Sequence, residues 1–170
     1  MTVFDLPSAW FLAPETWHIQ PNPSSASSPF LQNMTNFLRR GVGMLQSVIA
    51  DWVIRGSSPF IHNRLYKTRL PRHTQDAYMM LCPYLTRVAE TEEMVLLIVV
   101  DRMTQFVEEQ PADGASLDTF NHVSRVQALL IHIITGLFDG DIRLRHLAES
   151  QLPTLASWNA QMWESARISA

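Results

Sequence analysis

The stretch SLDTFNHVSRVQALLIHIITGLFDGD, residues 116–141, decides the fold class. Within it Leu117, Phe120, Val123, Val126, Leu130, Ile133, Ile134 and Leu137 return mostly at spacings of three and four, which makes one apolar stripe along several turns of helix. A strand would send alternate residues to opposite faces and break that stripe. Ser116 reads as the N-cap, and the Asp139-Gly140-Asp141 run as the stop.

Outward from this helix the same texture continues. Leu144, Leu147 and Leu152 open a last helix, which Pro153 is expected to bend or restart before Trp158 and Trp163. Upstream, Thr91 precedes Glu92 and Glu93, a cap followed by acids where the helix dipole favours them. The run MVLLIVV at 94–100 could pass for a buried strand, but Met103, Phe106 and Val107 extend it at helical spacing. Pro71 starts a helix through Tyr78, Leu81 and Leu85, and Pro83 is expected to kink or end it. Before that, Ser28-Pro29 opens a segment carrying Phe30, Leu31, Met34, Phe37 and Leu38. Gly41 and Gly43 are expected to interrupt it, and Leu45, Val48, Ile49, Trp52 and Val53 carry the period on to a stop at Gly56. The expectation is an all-α, irregular bundle of about six helices over residues 29–170. Residues 1–28, rich in Pro, Ser and Trp, read as an extended segment whose Trp10, Phe11, Trp17 and Ile19 wrap onto the body.

The 170 residues suit one domain, and 46 % hydrophobic content supplies a core. Residues 94–100 form the longest apolar run, well short of the roughly 18 that a spanning helix needs. No charged-then-apolar leader opens the chain, so an intracellular location is expected. Cys82 is the single cysteine, which excludes an internal disulfide and any all-cysteine metal cluster within one chain. Following Met79, Met80 and Leu81, it reads as a core residue.

Catalytic and cofactor signatures are missing: no nucleophile elbow, glycine-rich phosphate loop, dinucleotide fingerprint or pair of histidines one turn apart. No catalytic, cofactor or metal residue is therefore assigned. His122 and His132 lie ten residues apart on one helix and cannot share a metal through that helix alone. His132, between Ile131 and Ile133, reads as a buried, hydrogen-bonded histidine. Asp101 with Arg102, and Asp141 with Arg143 and Arg145, read as structural ion pairs. Met79, Met80, Met94 and Met103 could line an adaptable pocket, with core filling the stronger reading.

One connector stands apart. SPFIHNRLYKTRLPRH, residues 58–73, holds Arg64, Lys67, Arg69 and Arg72 with Arg55 just upstream, and no acid occurs between Asp51 and Asp76. Its charges interleave with Phe60, Ile61, Leu65, Tyr66 and Leu70, in a chain of net charge −3 and isoelectric point near 6.0. A field of that sign opposes nucleic acid, so a packed connector whose arginines reach acidic helix ends or a partner is preferred to DNA contact. Trp52, Phe60, Arg64, Tyr66 and Trp158 are the candidate interaction residues, because aromatic and arginine side chains dominate interface hot spots.

WVIRGSSPFIHNRLY, PRHTQDAY, YLTR, EEMVLLIVVDR and RVQALLIHIITGLFDGDIRLRHLAE together resemble the region C-terminal to the DNA-binding domain in fungal binuclear-zinc-cluster transcription regulators, many of them in secondary-metabolite gene clusters. The likeness runs from about Trp10 to Trp163 and rests on packing residues. It implies a helical, nuclear, non-enzymatic domain that governs activity or partner contacts. That family's zinc cluster needs six cysteines and only Cys82 is present, so zinc and sequence-specific DNA binding do not carry over. Relatives continue beyond MWESARISA, and a truncated regulator would bare apolar surface and bind a protein partner or its own copy. The alternative is a bundle enclosing an apolar metabolite, as a sensor or a small biosynthetic enzyme. A large buried cavity with His132 or Asp101 pointing into it and shifted in pKa favours that alternative; a tightly filled interior with a bare apolar face favours the first reading.

Overall fold

The computed structural model describes residues 29–62, 64–110 and 117–169. The expectations for residues 1–28 and for caps at Ser28 and Ser116 lie outside them. The chain divides into two units, Met1–Arg40 and Gly41–Ala170. Five helices follow in order: α1 Pro29–Arg55, α2 Arg72–Thr86, α3 Glu92–Glu108, α4 Thr119–Asp139 and α5 Ile142–Ser169. Among the described residues the all-α expectation holds, with a single isolated bridge between Ser58 and Ile61 as the lone β pairing.

Five helices replace the expected six because four expected breakers fail to break. Gly41 and Gly43 lie inside a continuous α1. Glycine weakens a helix by about 0.5–1 kcal/mol but does not forbid one. A Cβ built on either glycine meets nothing within 4 Å. Gly41→Ala with Gly43→Ala is therefore expected to stabilise the chain by about 1–2 kcal/mol, read as a higher urea midpoint. Pro83 and Pro153 likewise lie inside α2 and α5. Each proline frees the carbonyl four residues earlier, and those residues, Met79 and Glu149, are exposed, so water can take the lost bond.

Thr91 stands at the N-cap of α3 as expected but makes no side-chain cap hydrogen bond, whereas α4 and α5 are capped by ordinary chemistry. Asp118 caps α4 by accepting from the Asn121 N–H at 2.7 Å, two residues after the cap expected from sequence. Gly140 ends the same helix with φ 106°, and Gly56 follows α1 with φ 73°, conformations that favour glycine. Asp141 opens α5 by accepting from the backbone N–H groups of Arg143 and Leu144 at 2.7 and 3.1 Å. The Asp141–Arg143 pair is thus a helix cap with an ion pair added.

Helix α4 is the centre of the second unit, buried on several sides, and packs chiefly on α5 and then on α2. Val95, Leu96, Val99, Met103 and Phe106 of α3 join Ala77, Met80 and Leu81 of α2 in one core with Leu129, Ile131 and Ile133 of α4. Leu144, Ala148 and Trp158 of α5 complete it, and Ile49 and Trp52 enter from the second half of α1. No described helix is long and apolar enough to cross a membrane.

Candidate functional site

The basic connector packs against the domain. Ile61 is buried, Phe60, Leu65 and Tyr66 are half-buried, and Arg64 and Lys67 are exposed. Gln127 on α4 holds the connector from two directions, donating to the Phe60 carbonyl and accepting from the Tyr66 hydroxyl. Tyr66 meets Phe120 edge to face at 5.4 Å, and the Arg69 guanidinium lies 5.6 Å from the same ring. Arg55 pairs with Asp51, Arg72 with Asp76, and Arg69 with Asp118, the cap of α4. Arginines spent on carboxylates leave less free charge for phosphate.

The five interaction candidates do not form one surface. Trp52 is buried and meets Tyr78 edge to face at 5.3 Å; with Tyr66 it lines a shallow groove of about 230 Å³ under the connector. Trp158 lies in the core elsewhere, 6.0 Å from Phe106 and 4.8 Å from the buried Arg125 guanidinium. Arg64 and the outer edges of Phe60 and Tyr66 remain on the outside. The methionines divide: Met80 and Met103 fill the core, whereas Met79 and Met94 are exposed. Cys82 is half-buried, less enclosed than its apolar run implied. Asp101 is exposed and accepts from Gln105.

Where α2, α3 and α4 meet, a cleft of about 220 Å³ opens with Phe106 and His132 in its lining. His73 stands at one wall, with Nδ1 3.0 Å from Ser124 Oγ and Nε2 2.8 Å from Gln110 Oε1. Phe106 meets His132 edge to face at 4.7 Å and His73 at 6.0 Å. His132 is 1 % exposed, yet neither ring nitrogen has a hydrogen-bond partner among the described residues. The hydrogen bonds expected of a buried histidine are therefore unmade, which overturns that expectation. Burial alone pushes its pKa down to about 3, so the ring is neutral.

This has a consequence for stability. The unfolded chain protonates such a histidine near pH 6.5, while the folded chain resists down to about 3. As pH falls through that interval the unfolded state binds more protons and stability drops. Burial lowers His73 and His122 in the same direction. His132→Phe is expected to shrink the fall in urea midpoint between pH 6.5 and 4.5, since one such group contributes up to about 1.4 kcal/mol per pH unit.

A second polar node closes the other end of α4. Arg87 Nη2 lies 2.7 Å from the buried Asp139 carboxylate, and Tyr84 donates its hydroxyl to the same oxygen at 2.8 Å. Burial, reinforced by Asp139, pushes the Tyr84 phenol up to about 12. Arg87 also covers the Tyr84 ring at 4.1 Å. Among the described residues no group of three or more His, Cys, Asp or Glu could hold a metal ion.

The outer face of α3 is unusual. Its inner residues fill the core, while Met94, Leu97 and Ile98 stand 58, 53 and 42 % exposed on adjoining turns. Glu90 precedes this patch and Arg102 follows it, both exposed and neither in an ion pair among the described residues. The sequence shows why the face was missed: a helix apolar all round reads as fully buried.

Over 109 residues the chain is 34 % identical to the transcription factor gsfR2 of Penicillium aethiopicum, a match covering 64 % of this chain and 26 % of that protein. This relates the chain to a fungal transcription regulator. The matched stretch thus spans about a quarter of that relative's length. No family model matches, and no solved structure matches.

Proposed function

We propose that this chain is a non-enzymatic helical regulatory domain of a transcription regulator, without a DNA-binding module of its own, acting in the nucleus by binding a second copy of itself. The relationship to a transcription factor supports the regulatory role. The exposed apolar face of α3 carries the association, because contiguous bare apolar surface marks contact sites.

The charges flanking that face favour a second copy as occupant. Glu90 and Arg102 lie twelve positions apart, with Met94, Leu97 and Ile98 between them. Two α3 helices crossing antiparallel over this apolar centre would bring each Glu90 towards Arg102 of the partner subunit, so one patch is complementary to itself. Phe60, Arg64 and Tyr66 on the connector offer a further contact, held from within by Trp52; Trp158 acts from the core.

Arg102→Glu places like charges together twice per dimer and is expected to weaken self-association about ten-fold, at roughly 0.5–1 kcal/mol for each contact. Adding Glu90→Arg restores opposite charges and should return the affinity to near its original value. Sedimentation equilibrium reads both; a double variant as weak as the single one refutes the antiparallel arrangement.

A further inference from the structure

We propose that the cleft bounded by α2, α3 and α4 binds a neutral aromatic alcohol of one or two rings, its hydroxyl making one of the two hydrogen bonds that His132 leaves unmade. This site is separate from the outer apolar face of α3 on which association rests, and either can exist without the other.

Three properties of the cleft select that chemistry. Its volume of about 220 Å³ suits a small ring compound; about 150 Å³ already holds benzene in an apolar cavity. Its rim charges balance, with Arg72 and Arg102 against Asp76 and Glu109, so neither an anion nor a cation is favoured. Its inner lining is two rings, Phe106 and His132, which a planar ligand can meet edge to face.

His132 supplies the polar requirement. A neutral imidazole has one donor and one acceptor, and a buried one without partners leaves both unsatisfied. Such a group is costly to enclose unless something completes it. His73 cannot, since both its nitrogens already meet Ser124 and Gln110. A hydroxyl can serve the imidazole in either tautomer, donating to the bare nitrogen or accepting from the N–H. A ligand of the same shape with a methyl in place of the hydroxyl leaves the imidazole as it was, and so binds less well.

Phenol and toluene are the probes, matched in shape and differing in the hydroxyl. Titration of the full chain by NMR, following the imidazole nitrogens of His132 and the amide of Phe106, is expected to show saturable binding of phenol at least about ten-fold tighter than toluene. His132→Phe keeps a ring against Phe106 and should bring the two affinities together. Gln105→Trp fills the cleft from its half-buried wall and should abolish both, which covers the case of a His132 variant that does not fold. Equal binding of phenol and toluene, no saturable shift at His132, or a phenol preference that survives His132→Phe overturns the proposal.

Discussion

Gly136→Leu lowers the stability of the helical domain by about 3 kcal/mol or more, read as a collapse of the urea midpoint. Gly136 lies where α4 and α5 touch backbone to backbone. A Cβ there would stand 2.8 Å from the Leu144 carbonyl oxygen, 2.9 Å from the Ala148 Cβ and 3.2 Å from the Met103 methyl. Methionine can move aside, but the Leu144 carbonyl is helix backbone and cannot. Any side chain therefore wedges the two helices apart and unpacks the core they share. Gly136→Ala should show the same direction at smaller size, because alanine recovers about 0.5–1 kcal/mol of helix propensity. Ala148→Gly should not rescue it fully, since the tightest clash is with Leu144. A Gly136→Ala variant more stable than the parent would contradict this packing.

Arg87→Met costs about 3 kcal/mol, the other large effect expected. Asp139 has 4 % of its side chain exposed and ends α4, where the helix dipole already disfavours negative charge. Arg87 neutralises it at 2.7 Å while bonding the Tyr84 carbonyl at 2.8 Å. Methionine keeps the stem's packing and leaves the carboxylate with the Tyr84 hydroxyl as its main support. Breaking one side of a buried pair costs more than removing both sides. Arg87→Met with Asp139→Leu should therefore be more stable than Arg87→Met alone. Thermal unfolding of the two variants decides it, and additive losses would mean that the pair does not act as a unit.

The helical class was legible because the stripe from Leu117 to Leu137 admits one period, and because Phe106 extended MVLLIVV past the length of a strand. Gly56 and Gly140 were readable as stops, since each takes a conformation that side chains resist. Breakers inside helices were not readable: whether Pro83 or Pro153 ends a helix depends on which way the freed carbonyl faces, and that is a property of the folded bundle. The connector's role was partly visible in its interleaved apolar residues; Arg55, Arg69 and Arg72 meet the exposed carboxylates of Asp51, Asp118 and Asp76, while Arg64 faces outward. Sequence placed His132 in the interior but gave it partners it lacks among the described residues. The cleft was invisible because His73, Phe106 and His132 come from three helices. The Tyr84–Arg87–Asp139 node joins two helix ends in the same way, and spacing along the chain reports neither.

The measurement that bears most directly on the account is the solution mass of the purified chain by light scattering over a wide concentration range, with Ile98→Glu measured beside it. A dimer that grows in with concentration, and a variant that stays monomeric while keeping its helical signal, is the predicted result. A parent chain that remains monomeric at the highest concentration, or a variant that dimerises as well as the parent, would contradict association through α3.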